Sequence, residues 1–269
     1  APTRRTLSEE AQKATVEQKV VDEPVTVIIS EKGWVRARTG IGHDVAQFTF
    51  KAGDSLHGTF ECRTVDSLLG FGDNGKIYSV PVAALPGARG DGVPITTLVD
   101  LSNGAGGRPV RILHYFAGPA ATNLMLASDA GYGFMAKAGD MVSRLKGGKA
   151  FITLDDGALP LEPRVVPANA SAIACLSAKG RLLVFGMDEM KTLANGGRGV
   201  TLMELEDKEK LLAVQPISQK GVLVTGIWAT KPREVPLSAS GLQLHFGKRA
   251  RKGKALVTKT KAQDLRPIV

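Results

Sequence analysis

The chain has 269 residues, 43% of them hydrophobic and 5% aromatic, with 31 glycines; that supports one large all-β domain, or two smaller ones, built on tight turns and aliphatic packing. No apolar run reaches the roughly 18 residues a membrane-spanning helix needs, and two cysteines are too few for a disulfide framework. The net charge of +9 is uneven: residues 1–24 carry four Lys/Arg against five Asp/Glu, 25–219 twenty against nineteen, and 220–269 eleven against two.

Such asymmetry points to a polyanionic partner, with a merely solubilising basic tail as the alternative. In chain order, residues 1–24, "APTRRTLSEEAQKATVEQKVVDEP", lack glycine and hold few large apolar residues. "SEEAQKATVEQKV" could form a helix capped by Ser8, but its stripe of Ala11, Val16 and Val20 is weak. A tether to an upstream domain fits better. The chain opens without methionine and is expected to be a fragment of a longer protein.

From Val25 a pattern sets in. "SEKGWVRA" (30–37), "GDNGKIYS" (72–79), "SDAGYGFM" (128–135) and "SAKGRLLV" (177–184) each place a glycine fourth in a polar stretch between apolar runs. Each predicts a β-hairpin, with Gly33, Gly75, Gly131 and Gly180 supplying the positive φ of a tight turn. Alternation within the runs is imperfect, as expected of strands covered on both faces. The glycines are 42, 56 and 49 residues apart. Periods of roughly 40–50 residues with several strands each point to a propeller-like array.

A second motif recurs in phase: "ARGDG" (88–92), "KGGKA" (146–150) and "NGGRG" (195–199), each leading into a β-prone run. Each unit therefore reads as hairpin, connection, basic glycine turn and outer strand. The ends are irregular. Residues 42–55, "GHDVAQFTFKAGDS", stand where the first basic turn belongs. In the last unit, "GVLVTGIWATKPREVPL" (221–237) has its hairpin signal broken by Pro232 and Pro236, before "FGKRARKGKALV" (246–257). Five units follow, near 25–65, 66–120, 121–170, 171–219 and 220–269. Cys62 and Cys175 lie in or beside apolar strands of different units and are expected to be buried thiols in a reducing compartment.

Catalytic signatures are missing from this pattern. His43, His57, His114 and His245 fall in separate units without metal-ligand spacing, so no metal is expected. "LDDG" (154–157) reads as a turn. "GGKAFIT" lacks the spacing and hydroxyl of a phosphate loop, and no G-x-S-x-G elbow appears. Tyr78 and Tyr132 sit at packing positions.

"SEKGWVRARTGIGHD", "FKAGDS", "ALPGARGDGVPITTL", "LMLASDAGYGFMAK" and "GKAFITL" closely resemble the family of C-terminal domains of ParC, the A-type chain of bacterial DNA topoisomerase IV, from about Val25 to the chain's end. The resemblance implies a β-pinwheel, a propeller-like array with strands exchanged between neighbouring blades, about five of them four-stranded. It implies a cytoplasmic, nucleoid-associated module that binds duplex DNA on its outer rim and presents it to a catalytic core. The parent enzyme uses ATP and Mg2+ elsewhere, with ParE as its partner; this domain needs no cofactor and lacks the catalytic tyrosine. The homologous gyrase domain is the alternative, but its "Q-R-R-G-G-K-G" box has no counterpart in residues 39–55.

Exposed Lys and Arg beside glycines suit phosphate binding, because condensed counterions are released and backbone N–H groups approach closely. The candidates are Lys32, Arg36 and Arg38; Lys76 and Arg89; Arg144, Lys146 and Lys149; Lys179, Arg181 and Arg198; and the cluster Lys248, Arg249, Arg251, Lys252 and Lys254. No interleaved aromatics for stacking unpaired bases are evident. Two other classes stay open: a protein-interaction scaffold using Trp34 or Trp228, and a lost active site with a deep polar pocket.

Overall fold

The computed structural model describes residues 20–269; the Ser8-capped helix lies outside them, as does most of the tether. The first unit forms β1 (Pro24–Ser30), β2 (Trp34–Thr39) and β3 (Leu56–Arg63). The second forms β4 (Ser67–Gly72), β5 (Lys76–Pro81), the two-residue β6 (Val93–Pro94) and β7 (Ile112–Gly118). The third has β8 (Asn123–Ala127), β9 (Tyr132–Lys137), β10 (Lys149–Ala150) and β11 (Arg164–Val165). The fourth has β12 (Ala172–Ser177), β13 (Arg181–Gly186), β14 (Val200–Thr201) and β15 (Leu211–Ile217). The fifth has β16 (Val222–Trp228), β17 (Lys231–Leu237), β18 (Lys254–Ala255) and β19 (Lys261–Pro267).

The first four hairpins turn on Gly33, Gly75, Gly131 and Gly180, at φ of +82°, +80°, +93° and +78°. At Gly75 the need is double, because a Cβ would stand 2.0 Å from the Ile152 carbonyl oxygen. The fifth hairpin forms despite its prolines. Its turn is Ala229–Thr230, both at positive φ (+49° and +67°), closing Trp228 against Lys231. A two-residue turn makes that pair the hydrogen-bonded one, and pairs alternate from there. Pro232 and Pro236, opposite Ile227 and Leu223, therefore occupy positions whose nitrogens face away from β16 and need no proton.

The sheets are all antiparallel, in the orders β3-β1-β2-β6, β10-β5-β4-β7, β11-β8-β9-β14, β15-β12-β13-β18 and β17-β16-β19. The fourth strand of each of the first four sheets comes from the next unit: Val93 pairs with Val35, Lys149 with Ile77, Val200 with Gly133, and Lys254 with Leu182. Among the described residues the fifth sheet receives none and has three strands. The architecture is thus an all-β, five-bladed pinwheel. Sequence placed the basic turns and outer strands within their own units. They lie instead on the preceding sheet, and the outer strand itself is only two residues long.

The hydrophobic core lies between blades. Leu68 packs into the seam of the first two sheets with Val27, Ile29, Val35 and Tyr78, while its neighbour Leu69 joins Phe71, Phe116, Phe134 and Phe151 in the next. Ile173 and Cys175 face one seam, Ala174 and Leu176 the other. Both faces of the inner strands are buried, which is why alternation fails. Among the described residues no such cluster joins the fifth sheet to the first. Both thiols are buried and unpaired; burial pushes Cys62 up to about 11 and Cys175 upward as well.

Candidate nucleic-acid interface

The exchanged segments all enter their receiving sheets in one register. Gly87 meets Ala37, Thr192 meets Met135 and Phe246 meets Val184, while Ser143 exchanges hydrogen bonds with the Ser79 hydroxyl. Each segment then swings outward as a turn before its two-residue strand docks. The four turns are 88–92 (ARGDG), 144–148 (RLKGG), 193–199 (LANGGRG) and 247–253 (GKRARKG). "NGGRG" and "RARKG" are one turn in two sequences: Gly196 at φ +74° corresponds to Ala250 at +68°, and Gly199 at +87° to Gly253 at +73°.

Successive turns are tied together. The Asp100 N–H, past β6, donates to Lys146 O at 2.8 Å. The Gly197 N–H donates to Phe151 O at 2.8 Å, and Thr153 N–H to Gly197 O at 3.0 Å. The Ala250 N–H donates to Leu202 O and Glu204 N–H to Arg251 O, each at 3.0 Å. The rim is therefore a hydrogen-bonded belt, each turn seated on the segment that leaves the one before. A Cβ at Gly196 would stand 2.1 Å from Phe151 O, so the belt needs glycine there.

Charge is unequal along this belt. The turns carry Arg89 with Asp91; Arg144 and Lys146; Arg198; and Lys248, Arg249, Arg251 and Lys252, for balances of 0, +2, +1 and +4. The cluster expected in the last unit thus lies on the rim of the fourth sheet, because β18 docks there.

Several candidate cations prove to be occupied. Arg36 is 5% exposed and donates to Gly90 O at 2.7 Å and Thr49 O at 2.6 Å, against the Phe50 ring. Arg181 is held by the Glu209 carboxylate and the carbonyls of Glu204 and Lys252. The Arg249 guanidinium donates to Thr201 O at 2.7 Å while its N–H donates to Glu189. These three fasten the rim from within; their guanidiniums bind backbone carbonyls of the rim turns and the segments beside them. Lys149 donates to Asp140 O at 2.8 Å. Lys179 pairs with Glu206, whose hydrogen bond and charge raise the ammonium and lower the carboxyl. Arg198 pairs with Asp155 at 2.6 Å over the Tyr132 ring. Lys76 is half-buried. Lys32 is exposed, its Nζ turned toward Gly53.

Arg38, Arg89, Arg144, Lys146, Lys248, Arg251, Lys252 and Lys254 are exposed and, among the described residues, their side chains make no salt bridge. Arg38 and Arg89 line one open cleft of about 760 Å³, with Ala37, Thr39, Gly87 and Ala88. Sequence could not pair them, since strand exchange alone brings the second unit's turn onto the first sheet. It also missed Lys51, which stacks on Trp34 at 3.8 Å and leaves that ring half-buried.

Glu209 shows the electrostatics of the fastened side. Burial raises its pKa, but the Glu206 N–H, the Ser177 hydroxyl and Arg181 outweigh that and hold it at about 2. Among the described residues no helix is long and apolar enough to cross a membrane.

The family model of the DNA gyrase C-terminal domain, β-propeller, matches residues 66–105, 122–159 and 172–218. The A chain of DNA topoisomerase 4 from Neisseria gonorrhoeae is 39% identical over 229 residues, 82% of this chain and 29% of that protein. The Escherichia coli K12 protein of the same name is 30% identical over 248 residues, 91% of this chain and 32% of that protein. The chain therefore spans about a third of the length of these relatives. The solved E. coli ParC C-terminal domain superposes with a TM-score of 0.79 at 27% identity, covering 91% of this chain and 98% of that one. A gyrase A C-terminal domain shares the fold at a TM-score of 0.62 and 18% identity, over 92% of this chain and 83% of that one. The chain belongs to the family of gyrase A and ParC C-terminal domains, the latter from topoisomerase IV.

Proposed function

We propose that this domain holds duplex DNA along the belt of rim turns, through the phosphate backbone and with modest bending. The observation that carries the reading is a set of eight exposed cations unengaged by carboxylates, six of them on turns that hydrogen bonds string into one path and two, Arg38 and Lys254, on strands beside those turns. Lys and Arg at exposed turns release condensed counterions from phosphates, and this sequence-independent term dominates non-specific binding. Smooth bending of a 20–30 base-pair site by 40–90° costs on the order of 1–6 kcal/mol. With one turn neutral and another internally paired, the electrostatic drive favours a shallow bend anchored on the fourth sheet.

In a longer protein the domain would pass the bound segment to the catalytic core of the same chain. Strand passage, decatenation and supercoil relaxation would then draw on ATP and Mg2+ bound outside this domain, with a ParE-type partner, in the cytoplasm at the nucleoid. The domain alone is expected neither to cleave DNA nor to hydrolyse ATP. Fluorescence anisotropy with random-sequence duplex over a salt series tests the binding reading. A steep fall of affinity with salt is expected, and a flat response would refute it.

A further inference from the structure

Among the described residues, three leucine and phenylalanine side chains are more than half exposed: Leu145 at 68%, Leu244 at 66% and Phe246 at 53%. Scattered exposed apolar residues need no explanation. These three are not scattered. Leu145 stands between the exposed Arg144 and Lys146 on the second sheet's rim, and Leu244 and Phe246 lie four and two residues before Lys248 on the fourth's. The common register makes the point sharper. Two residues past each docking point stand Arg89, Leu145, Ala194 and Lys248, all exposed. Leu145 thus takes a position that carries a cation on the first and fourth sheets and Ala194 on the third. Its turn is fastened without it, by the Gly148 N–H to the Leu145 carbonyl, by Lys146 O to Asp100 N–H, and by Ser143 to Ser79. The side chain itself is left facing water.

We propose that Leu145 and Phe246 are apolar wedges that enter the minor groove of a duplex lying on the rim. The proposal rests on the reading of the rim as a DNA path and adds how the path is gripped. At Leu145, cations on both sides would hold phosphates and leave the apolar group facing the groove floor; at Phe246 the flanking cation, Lys248, stands on one side only. Leu and Phe are among the residue types that unstack a base step and kink the duplex away from the protein. Pyrimidine–purine steps such as TA and CA open most easily. The domain therefore gains a preference for duplexes whose flexible steps fall at the two wedges, without any hydrogen bond to a base edge.

The test uses this chain with Leu145→Ala, Phe246→Ala and the double variant, on a duplex carrying 2-aminopurine beside a TA step and a FRET pair at its ends. The unaltered chain should raise 2-aminopurine fluorescence and bend the duplex. No charge changes in the double variant, so its salt dependence should match the unaltered chain's. Its 2-aminopurine signal should vanish, and its bend should fall by at least about 20°, the lower end of a single wedge kink. Leu145→Met, which keeps an apolar side chain of similar volume, should restore the Leu145 share. An unchanged bend in the double variant overturns the proposal, as does a silent 2-aminopurine probe with the unaltered chain. These outcomes are separable from failure of the DNA reading itself, which would appear as no salt-dependent binding by the unaltered chain.

Discussion

Reversing Lys248, Arg251, Lys252 and Lys254 to Glu is the most direct test of where the DNA is anchored. Arg249 is left in place, because its guanidinium holds Thr201 O and its loss would disturb the belt rather than remove a contact. Each reversal changes the charge by two, so four take the chain from +9 to +1. Eight exposed cations without carboxylate partners line the rim. If each neutralises one phosphate, log K falls against log[salt] with a slope of about −7, at about −0.9 per contact. Removing four leaves a slope near −3.6. Between 50 and 200 mM salt, affinity should then fall by roughly two decades rather than roughly four. Anisotropy titrations at several salt concentrations read both slopes directly. A slope change smaller than about one contact's worth would show that the cluster does not touch DNA. Reversal of Arg144 and Lys146 should flatten the slope by only about 1.8.

Glu209 is held at about 2, below its ordinary 4.5, so its ionised form stabilises the fold above pH 4.5 and that stability is lost as pH falls toward 2. Glu209→Gln should cost about 2 kcal/mol at neutral pH and flatten the fall of the urea midpoint between pH 5 and pH 3; parallel curves would refute it. Ala250 sits at φ +68° where the equivalent turn has Gly196. Ala250→Gly should therefore stabilise by about 0.5–1 kcal/mol, seen as a melting shift of roughly 1–3 °C; a lower melting temperature would contradict the strain argument. Pro232 and Pro236 leave Glu234 as the one outward donor among the three outward positions of β17. Pro232→Thr/Pro236→Thr should restore two N–H groups on an unpaired edge and produce dimers in light scattering; a strict monomer would show that the prolines do not guard it.

Much of the fold was legible because its local chemistry is strong. Four glycine turns between apolar runs gave the hairpins, and the imperfect alternation of "RLLVF" anticipated strands buried on both faces, as Leu183 and Val184 are in different seams. Strand exchange was not legible residue by residue, because a two-residue strand such as β18 carries no periodicity. The same exchange accounts for the irregular ends: among the described residues the first unit lends no strand to another sheet, and the fifth sheet receives none. The fifth hairpin was obscured because Ala229 and Thr230 replace the glycine of the other turns. Of the site, the basic turns were visible but the state of each cation was not. Arg36 and Arg181 look like Arg38 and Lys179 in sequence; only the carbonyls of Gly90 and Lys252, 54 and 71 residues away, take them off the surface.

On the proposed reading, the rim's charge gradient and its backbone continuity together would give the DNA path a direction. The belt runs from residues 88–92 on the first sheet to 247–253 on the fourth and stops there, because among the described residues the fifth sheet receives no segment. After internal pairing, Arg89 is offset by Asp91, Arg198 is held by Asp155, and three of the four cations in the last turn remain free. The strongest grip therefore lies at one end of the path and the weakest at the other. A duplex held this way is expected to stay anchored at the fourth sheet while its far end lifts from the first, where only a neutral turn and Arg38 would oppose the elastic cost of bending. Even spacing of the same charge would trap both ends and favour tight wrapping. Under the proposed function, concentrating it on one exchanged segment would let the domain hold a duplex firmly at one point while its other end stays loosely held.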